Sequence, residues 1–270
     1  MIIFKSINKL NKEVDFKANI GFVPTMGSLH NGHIYLIKSS KKYCKKTLVS
    51  IFINPSQFNK KKDLKRYPRN LLKDIKILKR LKVDYLLTPR VGEIYQNKKD
   101  RKIQLNKNDK IMCSLFRPGH FEGVLAVINQ FLKKIKPKSI FLGEKDYQQL
   151  FLINKLIKKK FNVKVIPCKN IRDINNIALS SRNILLNKKD LNKSSFVATL
   201  LLNFKKRLKK NLLFRNQIPN IKKIICEIKD IKLEYLEIRN KKNLTKKFTK
   251  NNFKIFISYY NKKVRLIDNF

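Results

Sequence analysis

The sequence predicts an α/β protein, with a parallel-sheet domain over residues 1–171 and a smaller α+β domain over residues 172–270. In the first two thirds of the chain, short β-rich runs alternate with helical patterns, which is typical of a parallel sheet covered by helices. Beyond about residue 171, strand-like runs follow one another without intervening helices, which indicates an antiparallel sheet. A chain of 270 residues can bury roughly three quarters of its unfolded surface, so it needs no metal or disulfide for stability.

Hydrophobic periodicity places the elements of the first domain. Strands are predicted, in chain order, at residues 20–23, 47–53, 83–88, 139–142 and 163–166. Helices are predicted between them at residues 33–42, 70–82, 121–136 and 146–160. In the last of these helices, apolar side chains recur near the three-to-four-residue spacing of a half-buried helix. Residues 90–110 are polar and weakly patterned, so we expect them to leave the sheet.

The second domain is predicted from a change of pattern. Helical periodicity covers residues 188–208 and 218–228. Strand-like runs then follow at residues 231–238, 253–260 and 264–267. Because no helical pattern separates these runs, we expect a small antiparallel sheet beside the two helices.

The chain is strongly basic. It has 64 Lys and Arg against 18 Asp and Glu, a formal net charge of +46, which by itself favours a nucleic-acid partner. The lysines are, however, spread along the whole chain instead of being gathered in a tail. We therefore interpret the charge as the solvated coat of an enzyme with no specific nucleic-acid partner. A basic RNA-binding protein is the less favoured alternative.

The cysteines predict a cytoplasmic protein. Cys44, Cys113, Cys168 and Cys226 stand far apart without a CxxC pair, so zinc and disulfide frameworks are poor interpretations. Scattered thiols fit a reducing compartment. No segment approaches about 18 uninterrupted apolar residues, so we expect neither secretion nor a membrane partner.

Residues 23–33, VPTMGSLHNGH, hold two of the chain's three histidines. His30 and His33 are three residues apart, which puts both imidazoles on one side of the first turn of a helix. The preceding strand places this turn at the carboxyl end of a parallel sheet, where such sheets bind ligands and helix N-termini attract phosphate. Gly27 and Gly32 would let the backbone approach a nucleotide closely. The pair could also be half of a metal site, but no acidic, cysteine or histidine cluster completes one.

Two further blocks carry polar candidates. Residues 49–58 (VSIFINPSQF) end a predicted strand with Asn54 and Gln57, whose neutral amides can each donate and accept hydrogen bonds. Residues 117–124 (RPGHFEGV) hold the third histidine, His120, after a turn that contains proline and glycine. A turn followed by a helix start suits anion binding, so His120 is a candidate anion ligand. The alternative is that His120 caps its own helix.

Two more blocks supply positive charge. Residues 141–150 (FLGEKDYQQL) close a predicted strand and open a helix, and Lys145 within them is a candidate for neutralising phosphate charge. Residues 178–183 (ALSSRN) lie near the predicted domain boundary and combine hydroxyls with the guanidinium of Arg182, groups that bind phosphates. A loop at such a boundary can close over a bound nucleotide.

These blocks together resemble a known family. PTMGSLHNGH is similar to the HxGH nucleotide-binding motif of the class I aminoacyl-tRNA synthetase and nucleotidyltransferase superfamily, in the form carried by the pantothenate synthetase family. The other blocks, Asp74 with the preceding YPR segment, and the closing RLIDN match that family in the same order over nearly the whole chain. The resemblance implies a Rossmann-like parallel-sheet domain of the HxGH nucleotidyltransferase type with a smaller C-terminal α+β domain.

The resemblance implies an activity. It is an ATP-dependent, AMP-forming carbon–nitrogen ligation of pantoate with β-alanine, through a pantoyl-adenylate, in pantothenate and coenzyme A biosynthesis. The partners would be pantoate, β-alanine and ATP, with Mg²⁺ shielding the triphosphate, and the protein would be a homodimer. Another HxGH-type nucleotidyltransferase is the alternative within the superfamily.

The resemblance also implies roles for individual residues at matching motif positions. The catalytic groups would be His30, His33 and Lys145. Besides His33 and Lys145, ATP would be bound by Pro24, Thr25, Met26, Gly32, Gly143, Asp146, Leu179, Ser180, Ser181 and Arg182. Pantoate and β-alanine would contact Met26, Asn54, Gln57, Arg117, His120 and Gln149. Asp74 would meet the metal ion through water.

Some positions depart from the family's pattern. Lys62 stands where glutamate is usual, and Ala126 and Gln130 replace a threonine and a lysine after the RPGHFEGV block. Leu115 and Phe116 replace smaller residues before that block. The implied catalytic groups are all retained.

Overall fold

The structure is a computed structural model that describes residues 1–59 and 61–270. The chain forms two compact units, Met1–Asn170 and Ile171–Phe270. Within the described residues of the first unit, the strands are β1 (Ile2–Phe4), β2 (Ile20–Thr25), β3 (Lys46–Ile51), β4 (Tyr85–Leu87), β5 (Ser139–Gly143) and β6 (Lys164–Cys168). Its helices are α1 (Ile7–Glu13), α2 (Asn31–Tyr43), α3 (Lys61–Arg66), α4 (Leu71–Arg80), α5 (Val91–Ile94), α6 (Cys113–Phe116), α7 (His120–Ile135) and α8 (Tyr147–Lys160).

The strands of the first unit form one parallel sheet in the order β1-β4-β3-β2-β5-β6. Strand β2 pairs with β3 on one side and with β5 on the other, so that Gly21 lies opposite both Thr47 and Ser139. From β2 the chain runs outward through β3 to β4 and then crosses to β5 on the far side of β2. The order of strands therefore reverses between β2 and β5, and parallel sheets bind ligands outside the carboxyl ends of the strands at such a point.

Both faces of the sheet are covered. Phe22 of β2 packs edge-on against Phe131 of α7, with ring centroids 5.3 Å apart. The next residue, Val23, lies on the opposite face in a buried cluster with Leu36 of α2 and Leu78 of α4. Because both faces are buried, β2 is a continuous apolar run and does not alternate between apolar and polar residues.

The predicted fold of the first unit is confirmed, with several short elements added. The five predicted strands correspond to β2–β6, and the four predicted helices to α2, α4, α7 and α8. The pattern does not predict β1, because it is a three-residue edge strand in which Ile2 is 52% and Ile3 is 42% exposed. It also does not predict α1, α3 and α6, which have at most seven residues each and are too short to show a helical period. Residues 90–110 leave the sheet as expected and form α5 and short 3₁₀ turns.

The second unit is an α+β arrangement, as predicted. It contains α9 (Lys188–Lys210) and α10 (Ile218–Glu227), followed by the antiparallel strands β7 (Ile231–Asn240), β8 (Phe253–Asn261) and β9 (Val264–Asn269) in the order β7-β8-β9. Its core joins Leu201 and Phe204 of α9 to Ile255 and Ile257 of β8. In the part of the chain that the structure describes, no helix combines the length and apolarity that crossing a bilayer requires.

Candidate active site

A buried carboxylate holds the turn that follows β2. Gly27 and Ser28 both have positive φ, at 79° and 52°. Asp74 of α4 accepts the N–H groups of Ser28 and Leu29, each at 2.8 Å, and is only 2% exposed. A Cβ on Gly27 would lie 2.9 Å from Asp74 Oδ2, in a backbone conformation that already disfavours a side chain. The glycine is therefore required to close this turn, whatever it contributes to nucleotide binding.

His30 and His33 cap the helix that they begin. His30 Nδ1 accepts the Gly32 N–H at 3.1 Å, and the His30 N–H donates to His33 Nδ1 at 3.3 Å. The two rings thus form a reciprocal capping box at the start of α2. Since each Nδ1 is an acceptor, the proton of each neutral ring is on Nε2. Each ring consequently has one N–H left to offer a ligand.

Both histidine rings are neutral at neutral pH. Burial lowers the pKa of His30 to about 4, and the Lys145 ammonium acts in the same direction. Burial lowers the pKa of His33 to about 3, followed by the effect of the His30 ring, whose centroid is 4.1 Å away. Asp146 opposes these shifts at both rings, and Lys145 reinforces both. Lys145 and Asp146 therefore lie within electrostatic reach of the histidine pair.

These lowered pKa values predict that the protein loses stability in acid. In the unfolded chain both rings titrate near pH 6.5, so between pH 6.5 and about pH 3 the unfolded state binds protons that the folded state does not. We expect these two groups to leave the free energy of unfolding unchanged above pH 7 and to lower it as the pH falls toward 4. Urea unfolding at pH 7, 6, 5 and 4 measures this.

A matched variant isolates the effect of the histidines from that of other groups. His30→Asn keeps a side-chain oxygen at the helix cap but removes one titrating ring. We expect the variant to lose less stability than the wild type between pH 7 and pH 4. Identical pH profiles would contradict the burial of a neutral imidazole at this position.

Lys145 and Asp146 follow β5, the neighbour of β2 in the sheet. They lie in a 3₁₀ turn, Glu144–Asp146, that leads into α8. Lys145 Nζ is 3.3 Å from Asp146 Oδ1, and the two side chains are 19% and 44% exposed. The predicted lysine thus follows the strand beside β2 and lies within electrostatic reach of the predicted histidine pair, at the point where the strand order reverses.

Asn54 and Gln57 lie in the turn that follows β3, on the other side of β2. Asn54 caps the 3₁₀ turn Pro55–Gln57, and its Oδ1 accepts the Ser56 N–H at 3.2 Å. Its Nδ2 donates to Gly123 O at 2.9 Å and to Gln57 Oε1 at 3.3 Å. Asn54 is 1% exposed. Its burial and its protein partners indicate a positioning role, and its predicted contact with the substrate stays a prediction.

Tyr95 is a further member of this group that the sequence pattern does not reveal. Its hydroxyl donates to Asn54 Oδ1 at 3.1 Å, and the residue is 5% exposed. It lies at the end of α5 in the polar, weakly patterned segment 90–110. The sequence signal that could have identified it is an aromatic residue within a mostly polar segment.

Arg117 and His120 bind the backbone of the same turn. His120 Nδ1 donates to Gln57 O at 2.7 Å, and Arg117 Nη2 donates to the same oxygen at 3.3 Å. With its proton on Nδ1, His120 accepts from Arg117 Nη1 at 2.9 Å through Nε2. Asn59 Nδ2 donates to Pro118 O nearby. The N-cap residue of α7 is Gly119, so His120 does not cap the helix, and its bonds instead fasten the start of α7 to the turn that carries Gln57.

Gly123 allows α7 to approach this turn, and its replacement should be costly. A Cβ at this position would lie 2.3 Å from Ser56 O and 2.8 Å from Gln57 N, both backbone atoms that cannot move away easily. We expect Gly123→Ala to lower the free energy of unfolding by about 1–3 kcal/mol through overpacking. Gly92→Ala is the matched control, since a Cβ there meets nothing within 4 Å. Equal urea unfolding curves for the two variants would contradict the close approach.

Strand β2 ends with Pro24 and Thr25, and Met26 leads from it into the histidine turn. Thr25 is buried, and its Oγ1 donates to Ser50 O at 2.8 Å. Met26 is half-buried, and its Sδ accepts from Gln57 Nε2 at 2.7 Å. Met26, which is predicted to bind ATP, thus contacts the side-chain amide of Gln57, which is predicted to bind pantoate or β-alanine.

The two glutamines that follow β5 have different environments. Gln148 is buried, its Oε1 accepts the Cys113 N–H at 3.1 Å, and its Nε2 donates to Ile111 O at 2.7 Å. These bonds hold both sides of Met112, whose φ of 47° and ψ of −121° are unusual for a non-glycine residue. Gln149, the predicted substrate ligand, is half-buried in the first turn of α8, and Gly143 ends the strand before it.

The remaining predicted ATP residues, Leu179, Ser180, Ser181 and Arg182, belong to the second unit. A β-bridge closes the loop that precedes them. Ser180 Oγ accepts the Arg182 N–H at 3.2 Å and so caps a 3₁₀ turn that begins at the buried Ser181. Their contact with a phosphate stays a prediction.

The acidic residues do not form a cage for a metal ion. Among residues 1–59 and 61–270, no three His, Cys, Asp or Glu side chains are grouped so that they could hold one. Both oxygens of Asp74 accept backbone N–H groups, and Asp146 lies beside the Lys145 ammonium. This donor set does not fit a divalent cation held by the protein alone. The expectation that Asp74 meets a metal ion through water stays a prediction.

A parallel sheet whose strand order reverses beside a His-x-Gly-His helix start, with a lysine after the neighbouring strand, defines an HxGH-type nucleotide-binding protein. A family model described as Pantoate-beta-alanine ligase matches residues 2–270. The chain belongs to this family and is therefore a ligase. The predicted resemblance and the predicted fold class are confirmed.

Relatives and solved structures agree with this assignment. Curated proteins named pantothenate synthetase include that of Francisella philomiragia subsp. philomiragia, 40% identical and covering 100% of this chain and 97% of the relative. That of Buchnera aphidicola subsp. Acyrthosiphon pisum is 39% identical, covering 100% of this chain and 98% of the relative. Pantothenate synthetase from Thermus thermophilus superposes with a TM-score of 0.92 at 27% identity, covering 100% and 99% of the two chains. The pantoate-beta-alanine ligase of Francisella tularensis, complexed with "Beta-gamma ATP" and β-alanine, has a TM-score of 0.86 at 37% identity, covering 100% and 97%.

Proposed function

We propose that this chain condenses pantoate with β-alanine, using ATP, and releases pantothenate, AMP and pyrophosphate. The observation that carries the proposal is the convergence of His30, His33 and Lys145 at the point where the strand order reverses. Two neutral donors and one ammonium suit a triphosphate. Family membership and the complex of the Francisella tularensis relative with β-alanine support the choice of substrates.

The first step activates the carboxylate of pantoate. A carboxylate oxygen attacks the α-phosphorus of ATP, the bond from that phosphorus to the bridging oxygen breaks, and pyrophosphate leaves with the bonding pair. His30 and His33 donate their Nε2–H groups to phosphate oxygens, and Lys145 neutralises the charge that grows on the leaving group. Because these groups are already oriented by capping bonds and burial, little reorganisation is needed when charge develops.

The second step forms the amide. The amine of β-alanine, after losing a proton, attacks the carbonyl carbon of pantoyl-adenylate, and AMP leaves with the electron pair of the broken C–O bond. Gln57 and Gln149, helped by Met26, hold the pantoyl group in the orientation for attack. Arg117 and His120 act on the pantoyl group through Gln57, because both residues donate a hydrogen bond to the backbone oxygen of Gln57.

We assign the remaining predicted ATP contacts to the adenosine and phosphate groups. They are Pro24, Thr25, Gly32, Gly143 and Asp146 in the first unit, and Leu179, Ser180, Ser181 and Arg182 in the second. Because the described residues offer no acidic cage, Mg²⁺ enters as part of the substrate, bound to the triphosphate. On this proposal, residues 1–171 bind nucleotide and pantoate, and residues 172–270 act as a lid.

ATP binding should therefore slow amide hydrogen exchange in residues 178–183.

A homodimer in the cytoplasm completes the proposal. The family resemblance supports the dimer. The cysteines support the cytoplasmic location, since none of Cys44, Cys113, Cys168 and Cys226 forms a disulfide. Sedimentation of the purified protein would show a single monomeric species if the dimer is wrong.

One assay tests the proposed function. AMP formation is measured with ATP and pantoate, with and without β-alanine. We expect continuous, pantoate-dependent turnover when β-alanine is present and no more than about one equivalent of AMP per site when it is absent. A different HxGH-type nucleotidyltransferase would turn over without dependence on pantoate. An RNA-binding protein would show salt-sensitive RNA binding and no ATP turnover.

A further inference from the structure

The amide of Asn54 has its orientation fixed by two donors. The backbone N–H of Ser56 can only donate, and it lies 3.2 Å from Asn54 Oδ1. The hydroxyl of Tyr95 lies 3.1 Å from the same atom and therefore donates to it as well. The Nδ2 group is consequently directed toward two acceptors, Gly123 O at 2.9 Å and Gln57 Oε1 at 3.3 Å. Reversing the amide would place its NH₂ group against the Ser56 N–H and its oxygen against Gly123 O, and it would lose the hydrogen bond that the Tyr95 hydroxyl donates in the observed orientation.

This orientation is transmitted to Gln57. Its Oε1 accepts from Asn54, so its Nε2 is the end of the amide that remains on the opposite side, against Met26 Sδ at 2.7 Å. Sulfur is a weak acceptor, so these N–H groups can turn to a stronger one. The donors therefore point in one direction, from Tyr95 through Asn54 to Gln57.

We propose that Tyr95 is a positioning residue that reinforces the polarity of this amide pair, so that Gln57 presents N–H donors to the carboxylate or hydroxyl oxygen of the hydroxy acid substrate. The proposal rests on the proposed function. A carboxylate only accepts hydrogen bonds, and a reversed Gln57 would present its own oxygen to it. Tyr95 thereby favours acidic substrates without touching them.

Tyr95 is itself held in place. The Arg101 guanidinium lies over its ring, 4.9 Å from the centroid. Asp100 accepts a hydrogen bond from Gln130 Nε2 at 3.1 Å, which ties this segment to α7. Gln130 is one of the positions where the chain departs from the family's pattern, so the tie is made here by an amide. Burial raises the pKa of Tyr95 to about 12, which keeps its hydroxyl a donor at any assay pH.

Removing the hydroxyl tests the proposal. In Tyr95→Phe, Asn54 Oδ1 retains only the Ser56 N–H, and the bond between the Tyr95 hydroxyl and the Ser56 side chain is lost as well, so the amide pair is less firmly oriented. We expect the KM for pantoate to rise about three- to tenfold, the size of one lost hydrogen bond, while the KM for ATP stays within about twofold. Tyr259→Phe is the control, since Tyr259 is also buried and bonded through its hydroxyl, to Ser194 of the second unit. It should leave both KM values unchanged.

A second variant reverses the orientation of the Gln57 amide. In Asn54→Asp both side-chain oxygens are acceptors, so Gln57 must turn its Nε2 toward residue 54 and present Oε1 to the substrate. We expect kcat/KM for pantoate to fall by at least about a hundredfold, since an acceptor then opposes a carboxylate. If this variant does not fold, Tyr95→Phe alone decides.

The outcomes separate this proposal from the proposed function. A wild-type protein without pantoate-dependent AMP formation would overturn the function itself. If the wild type has that activity, an unchanged KM for pantoate in Tyr95→Phe would overturn the positioning role of Tyr95. Equal increases in the KM for pantoate and for ATP would also overturn it, because they would indicate a general structural effect.

Discussion

Lys145→Ala and His33→Ala should each reduce pantoate-dependent pyrophosphate release by about 10²–10³-fold while the protein stays folded. The reason is that both groups act on charge that develops in the transition state. Lys145 supplies an ammonium within electrostatic reach of the histidine pair, and His33 supplies a neutral N–H donor whose other nitrogen is already bonded. Each loss corresponds to about 3–4 kcal/mol, the cost of removing one preorganised donor.

Two controls keep this prediction specific. Lys158→Ala removes the same charge from the exposed side of α8 and should leave the rate unchanged. His33→Ala also removes a capping bond, so it should lower the free energy of unfolding by about 1 kcal/mol, whereas Lys145→Ala should not. Wild-type-like pyrophosphate release from either folded variant would refute the catalytic assignment.

The Lys145 variant offers a readout that does not depend on activity. The ammonium lowers the pKa of both imidazoles, so its removal should raise the pKa of His30 and of His33. NMR titration of the ring protons in wild type and Lys145→Ala measures this directly. Unmoved titrations would show that the lysine and the histidines are not neighbours.

The central strands could be predicted from sequence because burial on both faces gives them continuous apolar runs. β2 is of this kind, and β3 is apolar except for the exposed Lys46 and two small buried hydroxyl residues, Thr47 and Ser50, so both could be predicted from their own sequences. The edge strand β1 could not be predicted in this way, because Ile2 and Ile3 are exposed and the strand is three residues long. Its place beside β4 depends on a pairing across more than 80 residues.

The site shows the same division between local and distant contacts. The two histidines are three residues apart, so spacing alone predicts that both rings lie on one side of the first helical turn, whereas their reciprocal capping bonds appear only in the structure. Tyr95 is 41 residues from Asn54, and only the fold brings them together. Lys145 carries no signal by composition in a chain with 64 Lys and Arg, and it was found only through the residues around it.

Asp74→Asn should destabilise the protein and inactivate it in a way that magnesium does not repair. The carboxylate accepts two backbone N–H groups, those of Ser28 and Leu29, in a turn where Gly27 and Ser28 already have positive φ. An asparagine keeps one oxygen but places an NH₂ group against the second N–H, so one charge-assisted bond becomes a contact between two donors. We expect the free energy of unfolding to fall by about 2–3 kcal/mol. Since the turn leads directly into the His30 cap, kcat should fall by at least about tenfold as well.

Asp84→Asn is the matched control for this prediction. Asp84 also accepts a backbone N–H, from Thr47 at 2.9 Å, but it does so at the amino end of the parallel strands, away from the site. We expect it to lose stability without losing kcat. Raising the Mg²⁺ concentration distinguishes the two roles considered for Asp74. If excess magnesium restored the activity of Asp74→Asn, the carboxylate would act on the metal ion. If activity stays low at every concentration, its function is to hold the turn, because a broken backbone hydrogen bond is not replaced by a cation in solution.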